Sequence, residues 1–88
     1  AGMEALRPII EASHGEQGCM SYALHRDASN PDRFVLVEVW RSQADLDAHF
    51  GMPYLAGMGD IMSAHLAEPP TIVFCTPEPL GDPNKGVL

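Results

Sequence analysis

Positive charge is scarce in this chain. Five Lys and Arg stand against twelve Asp and Glu, a formal net charge of −7 over 88 residues. Nucleic-acid binding depends on clustered cations that neutralise phosphates, and no such cluster occurs here. The same sign disfavours anionic membrane surfaces. Apolar runs are too short to span a bilayer and no signal-peptide pattern opens the chain, so a cytoplasmic protein is expected. Cysteine is nearly absent. Cys19 and Cys75 form no CxxC and read as free, small apolar strand residues, not as nucleophiles. His14, His25 and His65 show no HxxxH or related spacing with one another or with carboxylates, which argues against a metal site. A dinucleotide fingerprint is missing too: "GMGDIM", from Gly57, lacks the third glycine and falls in a helical stripe instead of after a strand.

What is present is a small globular domain. Apolar residues make up 45% of the chain, the share of an ordinary soluble fold. A chain this short buries only a little over half of its unfolded surface, and unstapled domains of this size often gain burial by oligomerising. Met3, Leu6, Ile9 and Ile10 predict an amphipathic helix over Met3–His14, with a kink or a later start near Arg7 because Pro8 lacks an amide proton, and Gly15 as its stop. The next ten residues, "GCMSYALHRD", alternate, with Met20, Tyr22 and Leu24 on one face and Cys19, Ser21, Ala23 and His25 on the other. The turn "DASNPD" leads into a second strand over Arg33–Arg41, which makes a hairpin. Phe34, Leu36, Glu38 and Trp40 share one face of this strand and three valines, Val35, Val37 and Val39, the other. Both faces need cover, and a partner subunit is the economical source.

Ser42 caps a second helix, with Asp45 in a capping-box position, and Leu46, His49 and Phe50 fall on one face of it. Gly51 ends that helix. Pro53 suits the first turn of a third, along which Leu55, Met58, Ile61 or Met62, and Leu66 trace an apolar stripe, and Pro69-Pro70 stops it. Met52, Met58 and Met62 read as core and loop filler. Thr71–Thr76 is predicted as a last short strand. Residues 1–76 therefore form the domain, and residues 77–88 a Pro/Gly-rich tail.

The stretch "EQGCMSYALHRDASNPDRFVLVEVWRSQADLDAHFGMPYL" resembles the antibiotic biosynthesis monooxygenase family, which includes the quinol monooxygenases. The likeness rests on a Gly-Cys before a Ser-Tyr strand, a Pro-x-Arg-Phe turn, a Glu-x-Trp strand end and Leu-x-x-His-Phe on the next helix. It implies an α+β, ferredoxin-like fold that pairs into a dimeric α/β barrel. Such a fold opens with a strand in mid-sheet, whereas this sequence opens where the first helix belongs, so the first strand is expected to be missing from this chain.

The resemblance further implies cofactor-independent oxidation of a small phenolic or hydroquinone-type aromatic by dioxygen. His49 would be the base toward a substrate hydroxyl, with Trp40 and Phe50 walling the cavity and Tyr22 and Glu38 facing it. Each has a structural alternative. His49 can be a core-edge histidine bonded to a backbone carbonyl, Tyr22 can be packing, and Glu38 can be a buried carboxylate paired with Arg26 or Arg41. Heme-degrading relatives carry a tryptophan where this chain has His49 and a ligating histidine about ten residues on; "AGMGD" offers none. A non-catalytic, small-ligand-binding or stress-associated module of the same fold is the rival from another class.

Overall fold

The computed structural model of the protein describes residues 2–68 and 70–88. Its elements are a helix α1 (Gly2–His14), strands β1 (Cys19–Arg26) and β2 (Phe34–Trp40), a helix α2 (Gln43–Phe50), a 3-10 turn over Pro53–Gly57 and a helix α3 (Met58–His65). The two strands form one antiparallel sheet, and α1 packs on β1 while α2 meets β2.

Helix α1 runs unbroken through Pro8, with no late start at Arg7. Glu4 and Pro8 both lie on its exposed side, so the carbonyl that Pro8 leaves without an amide meets water. Beside it, Arg7 Nε donates to Glu4 Oε2 at 2.8 Å. The hairpin turn is held as its composition predicts: the amides of Ser29 and Asp32 donate to the side chains of Asp27 and Asn30 at 2.7 and 3.0 Å.

Strand register decides which side chains share the helix-covered face. Tyr22 lies opposite Glu38 and Ala23 opposite Val37, but Cys19 lies opposite Trp40 and Ser21 opposite Val39, so Met20 is bulged out between them. The bulge corrects the simple alternation. Met20 does not share the face of Tyr22 and is 65% exposed, while Cys19 moves to the Trp40 side and is half-buried.

Helix α2 begins as expected, with Ser42 Oγ accepting from the Asp45 amide at 3.2 Å. Beyond Gly51 a single helix does not form. A 3-10 turn comes first and α3 follows it, in a stretch carrying two glycines, Gly57 and Gly59, with low helix propensity. Helix α3 stops at His65, before Pro70 is reached; Pro69 lies outside the described residues. Thr71–Thr76 forms no strand, contrary to its pattern: it has no ladder to join, and Ile72, Val73 and Phe74 are 65%, 73% and 69% exposed. Residues 70–88 contain neither helix nor strand.

The core is thin. Among the described residues Ile9 and Tyr22 are its buried apolar side chains, joined by the buried polar Ser13 and His49. All four sit between the hairpin and the helices. The opposite sheet face, Ser21, Ala23 and His25 beside the three valines, has no helix on it, and Val35 is 48% exposed.

Candidate functional site

His49 lies at the C-terminal end of α2 and is 2% exposed. Aromatic rings surround it. Trp40 stacks on it in a tilted arrangement at 4.4 Å between centroids, Tyr22 and Tyr54 stand edge-on at 5.7 and 6.1 Å, and Phe50 lies at 5.6 Å. Each such pair is worth roughly 0.5–1.5 kcal/mol beyond its area burial, so the cluster is both core and candidate site.

A polar chain runs through the rings. His49 Nδ1 lies 2.6 Å from Glu16 Oε2, and both side chains are buried. The Tyr54 hydroxyl donates a short hydrogen bond to the same oxygen and lies 3.2 Å from Nδ1. Ser13 Oγ lies 3.1 Å from the Tyr54 hydroxyl and donates to the Ile9 carbonyl at 2.8 Å. Burial and the hydrogen bond to the Glu16 carboxylate push the Tyr54 phenol up to about 12, so it acts as a donor at neutral pH. Burial, with the Glu38 charge behind it, also raises the Tyr22 phenol.

The second ring nitrogen of His49, Nε2, has no hydrogen-bond partner among the described residues. No buried side-chain nitrogen or oxygen among them lacks one, so Nε2 keeps only a sliver of exposure on a ring that is 2% exposed overall. A ring anchored at one nitrogen and unpartnered at the other is the arrangement a general base requires.

The structure brings the sequence-derived candidates together with two changes. Trp40, expected to wall a cavity, stacks directly on the His49 ring. Two surface hollows lie elsewhere: one of about 270 Å³ is lined by α1 residues with Leu24, the other of about 410 Å³ by Gly59, Met62, Ser63, Leu66 and residues just beyond, and neither touches Trp40 or His49. Glu38 shares the face of Tyr22 and Trp40 but is exposed, not buried. Its carboxylate accepts the Trp40 indole N–H at 3.0 Å, and Arg41, one of its two expected partners, is held instead by Asp45 at 2.9 Å. Nor is His49 bonded to a backbone carbonyl; that role falls to His14, whose Nε2 donates to the Tyr22 carbonyl at 2.8 Å.

Sequence reasoning missed Glu16, Tyr54 and Ser13. Glu16 follows a helix end and Tyr54 a proline, so neither falls in a periodic pattern. The one available signal was the need of a buried histidine for a carboxylate or carbonyl partner. Cys19 is free, and its thiol is pushed up by burial and by the Glu16 and Glu38 charges, away from nucleophilic use. Among the described residues no three His, Cys, Asp or Glu side chains converge as a metal-holding group, and no helix is long and apolar enough to cross a membrane.

The antibiotic biosynthesis monooxygenase family matches residues 3–58, a span that contains every residue of the polar chain and the ring cluster. This protein belongs to that family. A Synechocystis protein named only as uncharacterized is 40% identical over 64 residues, 73% of this chain but 44% of that one, so this chain spans less than half of that relative. A Mycobacterium tuberculosis protein named a putative monooxygenase is 35% identical over 71 residues, 72% of this chain and 69% of that one. The solved structure of a putative antibiotic biosynthesis monooxygenase from Nitrosomonas europaea superposes with a TM-score of 0.70 at 32% identity, covering 77% of this chain and 72% of that one. The fold is thus the α+β, ferredoxin-like one of the family, and membership supports a monooxygenase-type function.

Proposed function

We propose that this domain is a cofactor-independent monooxygenase acting on a small phenol or hydroquinone. The observation that carries the proposal is the His49 ring, anchored at Nδ1 by Glu16 and without a hydrogen-bond partner at Nε2, packed against Trp40 and Phe50. Nε2 takes the substrate hydroxyl proton. The resulting anion is electron-rich enough to pass one electron to dioxygen, and collapse of the radical pair forms a carbon–oxygen bond. One oxygen atom stays in the product quinone, and the other leaves as water with the two hydrogens the substrate loses. The electrons come from the substrate; the protein supplies binding, desolvation and a proton acceptor. Trp40, Phe50 and Tyr22 would flank the aromatic ring, with Glu38 steering the indole.

We take the working unit to be a cytoplasmic homodimer. Support comes from the bare, valine-lined sheet face and from the exposed apolar run at Ile72–Phe74. A second reading, a small-ligand-binding module without turnover, is favoured by one observation: the two hollows described above lie away from His49. Oxygen uptake by purified, chelator-treated protein against a panel of hydroquinones separates the two. One labelled atom from ¹⁸O₂ in each product molecule is expected. Activity that needs added flavin, or that vanishes on metal removal, overturns the mechanism; binding without oxygen uptake establishes the second reading.

A further inference from the structure

The placement of protons in the buried chain is constrained by its chemistry. Glu16 Oε2 receives two close contacts, one from His49 Nδ1 at 2.6 Å and one from the Tyr54 hydroxyl. Each needs a proton between the two heavy atoms, because an ionised carboxylate only accepts. Tyr54 supplies its own. The ring must supply the other, and a neutral imidazole with its proton on Nδ1 carries its lone pair on Nε2. We infer that Glu16 is the positioning residue for His49: it holds the imidazole in the Nδ1–H tautomer and so makes the unpartnered Nε2 the basic atom, while Tyr54 holds the carboxylate in place.

This inference deepens the proposed base role of His49 and rests on it only for its catalytic consequence; the tautomer is a property of the resting protein. The remaining neighbours do not compete for Nδ1. Tyr22 and Trp40 meet the ring through their aromatic faces and edges, the Trp40 N–H is committed to Glu38, and Phe50 is apolar. The pairing bridges distant parts of the chain, since Glu16 lies in the α1–β1 loop, His49 on α2 and Tyr54 in the 3-10 turn. A substitution at Glu16 therefore acts on the ring without altering its helix.

Glu16→Gln is the discriminating variant. An amide can offer the ring either its oxygen or its NH₂, so it satisfies both tautomers and enforces neither. The protein is labelled with ¹⁵N-histidine, and the His49 signal is assigned among the four histidines by its loss in His49→Asn. Two-bond couplings between ring nitrogens and ring protons then report the tautomer directly. The expected result is Nδ1–H for His49 in the wild type, and a mixed or reversed tautomer in Glu16→Gln. Tyr54→Phe should keep Nδ1–H, because the carboxylate still accepts. A wild-type ring protonated at Nε2 alone means that Glu16 holds the shared proton, and one protonated at both nitrogens has no free lone pair; either result overturns the inference without using any variant. An unchanged tautomer in Glu16→Gln overturns it as well.

The kinetic arm separates this inference from the functional reading. With an accepted hydroquinone, Glu16→Gln should lower kcat by about 10–100-fold with KM nearly unmoved, part of the roughly 10²–10⁴ that a positioned base supplies. If the wild type consumes no oxygen, the proposed function fails while the tautomer assignment still stands or falls on its spectrum.

Discussion

The two faces of one hairpin have met different fates. On the side of Tyr22 and Trp40, helices, rings and a continuous polar chain bury His49 and Tyr22 to 2% and 4% exposure. On the other side, Ser21, Ala23 and His25 lie open beside the three valines, and Val35 is 48% exposed. Both faces of β2 are rich in apolar residues, so composition does not tell them apart. The difference is what each face carries besides apolar surface. The covered face holds ionisable groups whose geometry is fixed from three directions, which suits chemistry; the bare face holds small, flat, β-branched side chains, which suit another sheet. If that division holds, changes on the covered face alter turnover, ring orientation and alkaline stability, and changes on the bare face alter association.

The largest effect is expected at the centre of the covered face. His49→Asn keeps an N–H donor near the Nδ1 position for Glu16 and loses the base, so turnover of an accepted hydroquinone should fall roughly 10²–10⁴-fold while the fold survives. His49→Ala is a worse probe. It strands a buried carboxylate, and removing one partner of such a pair costs about 3–5 kcal/mol. Full activity in His49→Asn would make the ring purely structural.

Val37→Asp tests the bare face. A carboxylate without a partner in an apolar interface carries a penalty of several kcal/mol, so a homodimer should dissociate to single-chain mass in sedimentation. A wild-type sedimentation mass of one chain would remove the interface from that face altogether.

How much of this was legible in the sequence depends on how local each cause is. The hairpin, the Ser42 cap and the convergence of Tyr22, Trp40 and His49 follow from alternation, turn chemistry and i, i+3 spacing, all short-range. Met20 was misplaced because a bulge shifts the face of every residue beyond it, and nothing in "GCMSY" marks the extra residue. Thr71–Thr76 reads as a strand as clearly as Phe34–Trp40 does, but alternation records only what a strand would present, and a strand exists only with a neighbour to bond. Glu16 escaped notice because its partner is 33 residues away; pairings of that range leave no periodic trace.

A smaller effect is expected at the joint that holds α2 against the α1–β1 loop. Gly18 is buried there, and its carbonyl accepts from the Arg41 amide at 2.8 Å. A Cβ at this position would land on Cβ and Cγ of Asp45, whose carboxylate is tied to Arg41 and Ser42. A Cβ cannot swing aside as a side-chain end can, so helix or loop must shift. Gly18→Ala should lower stability by about 1–3 kcal/mol, read as a drop in the urea midpoint. Because the shift also carries His49 away from Glu16, the covered face should lose activity with it, and dimer mass should be unchanged. An unmoved midpoint would show that the joint is loose.

The smallest effect is an alkaline one, and it too belongs to the covered face, which holds both tyrosines of the chain. The folded protein keeps the Tyr54 proton up to about 12, whereas an unfolded tyrosine loses it near pH 10. Between those values the unfolded chain binds fewer protons than the folded one, so the contribution of Tyr54 is intact below about pH 10 and is lost as the pH rises through about 12. Tyr54→Phe removes this limb along with the donor to Glu16. Its stability should lie below the wild type at neutral pH, by about 1–3 kcal/mol for a hydrogen bond to a charged group, and the two curves should converge above pH 10. Tyr22, also raised by burial, leaves a residual alkaline slope in both proteins. Urea midpoints at closely spaced pH values from 8 to about 11.5 measure the convergence across most of the window that ends near the folded Tyr54 value. Parallel curves across that window would mean that the Tyr54 proton is not held by Glu16, and the carboxylate would then face His49 alone.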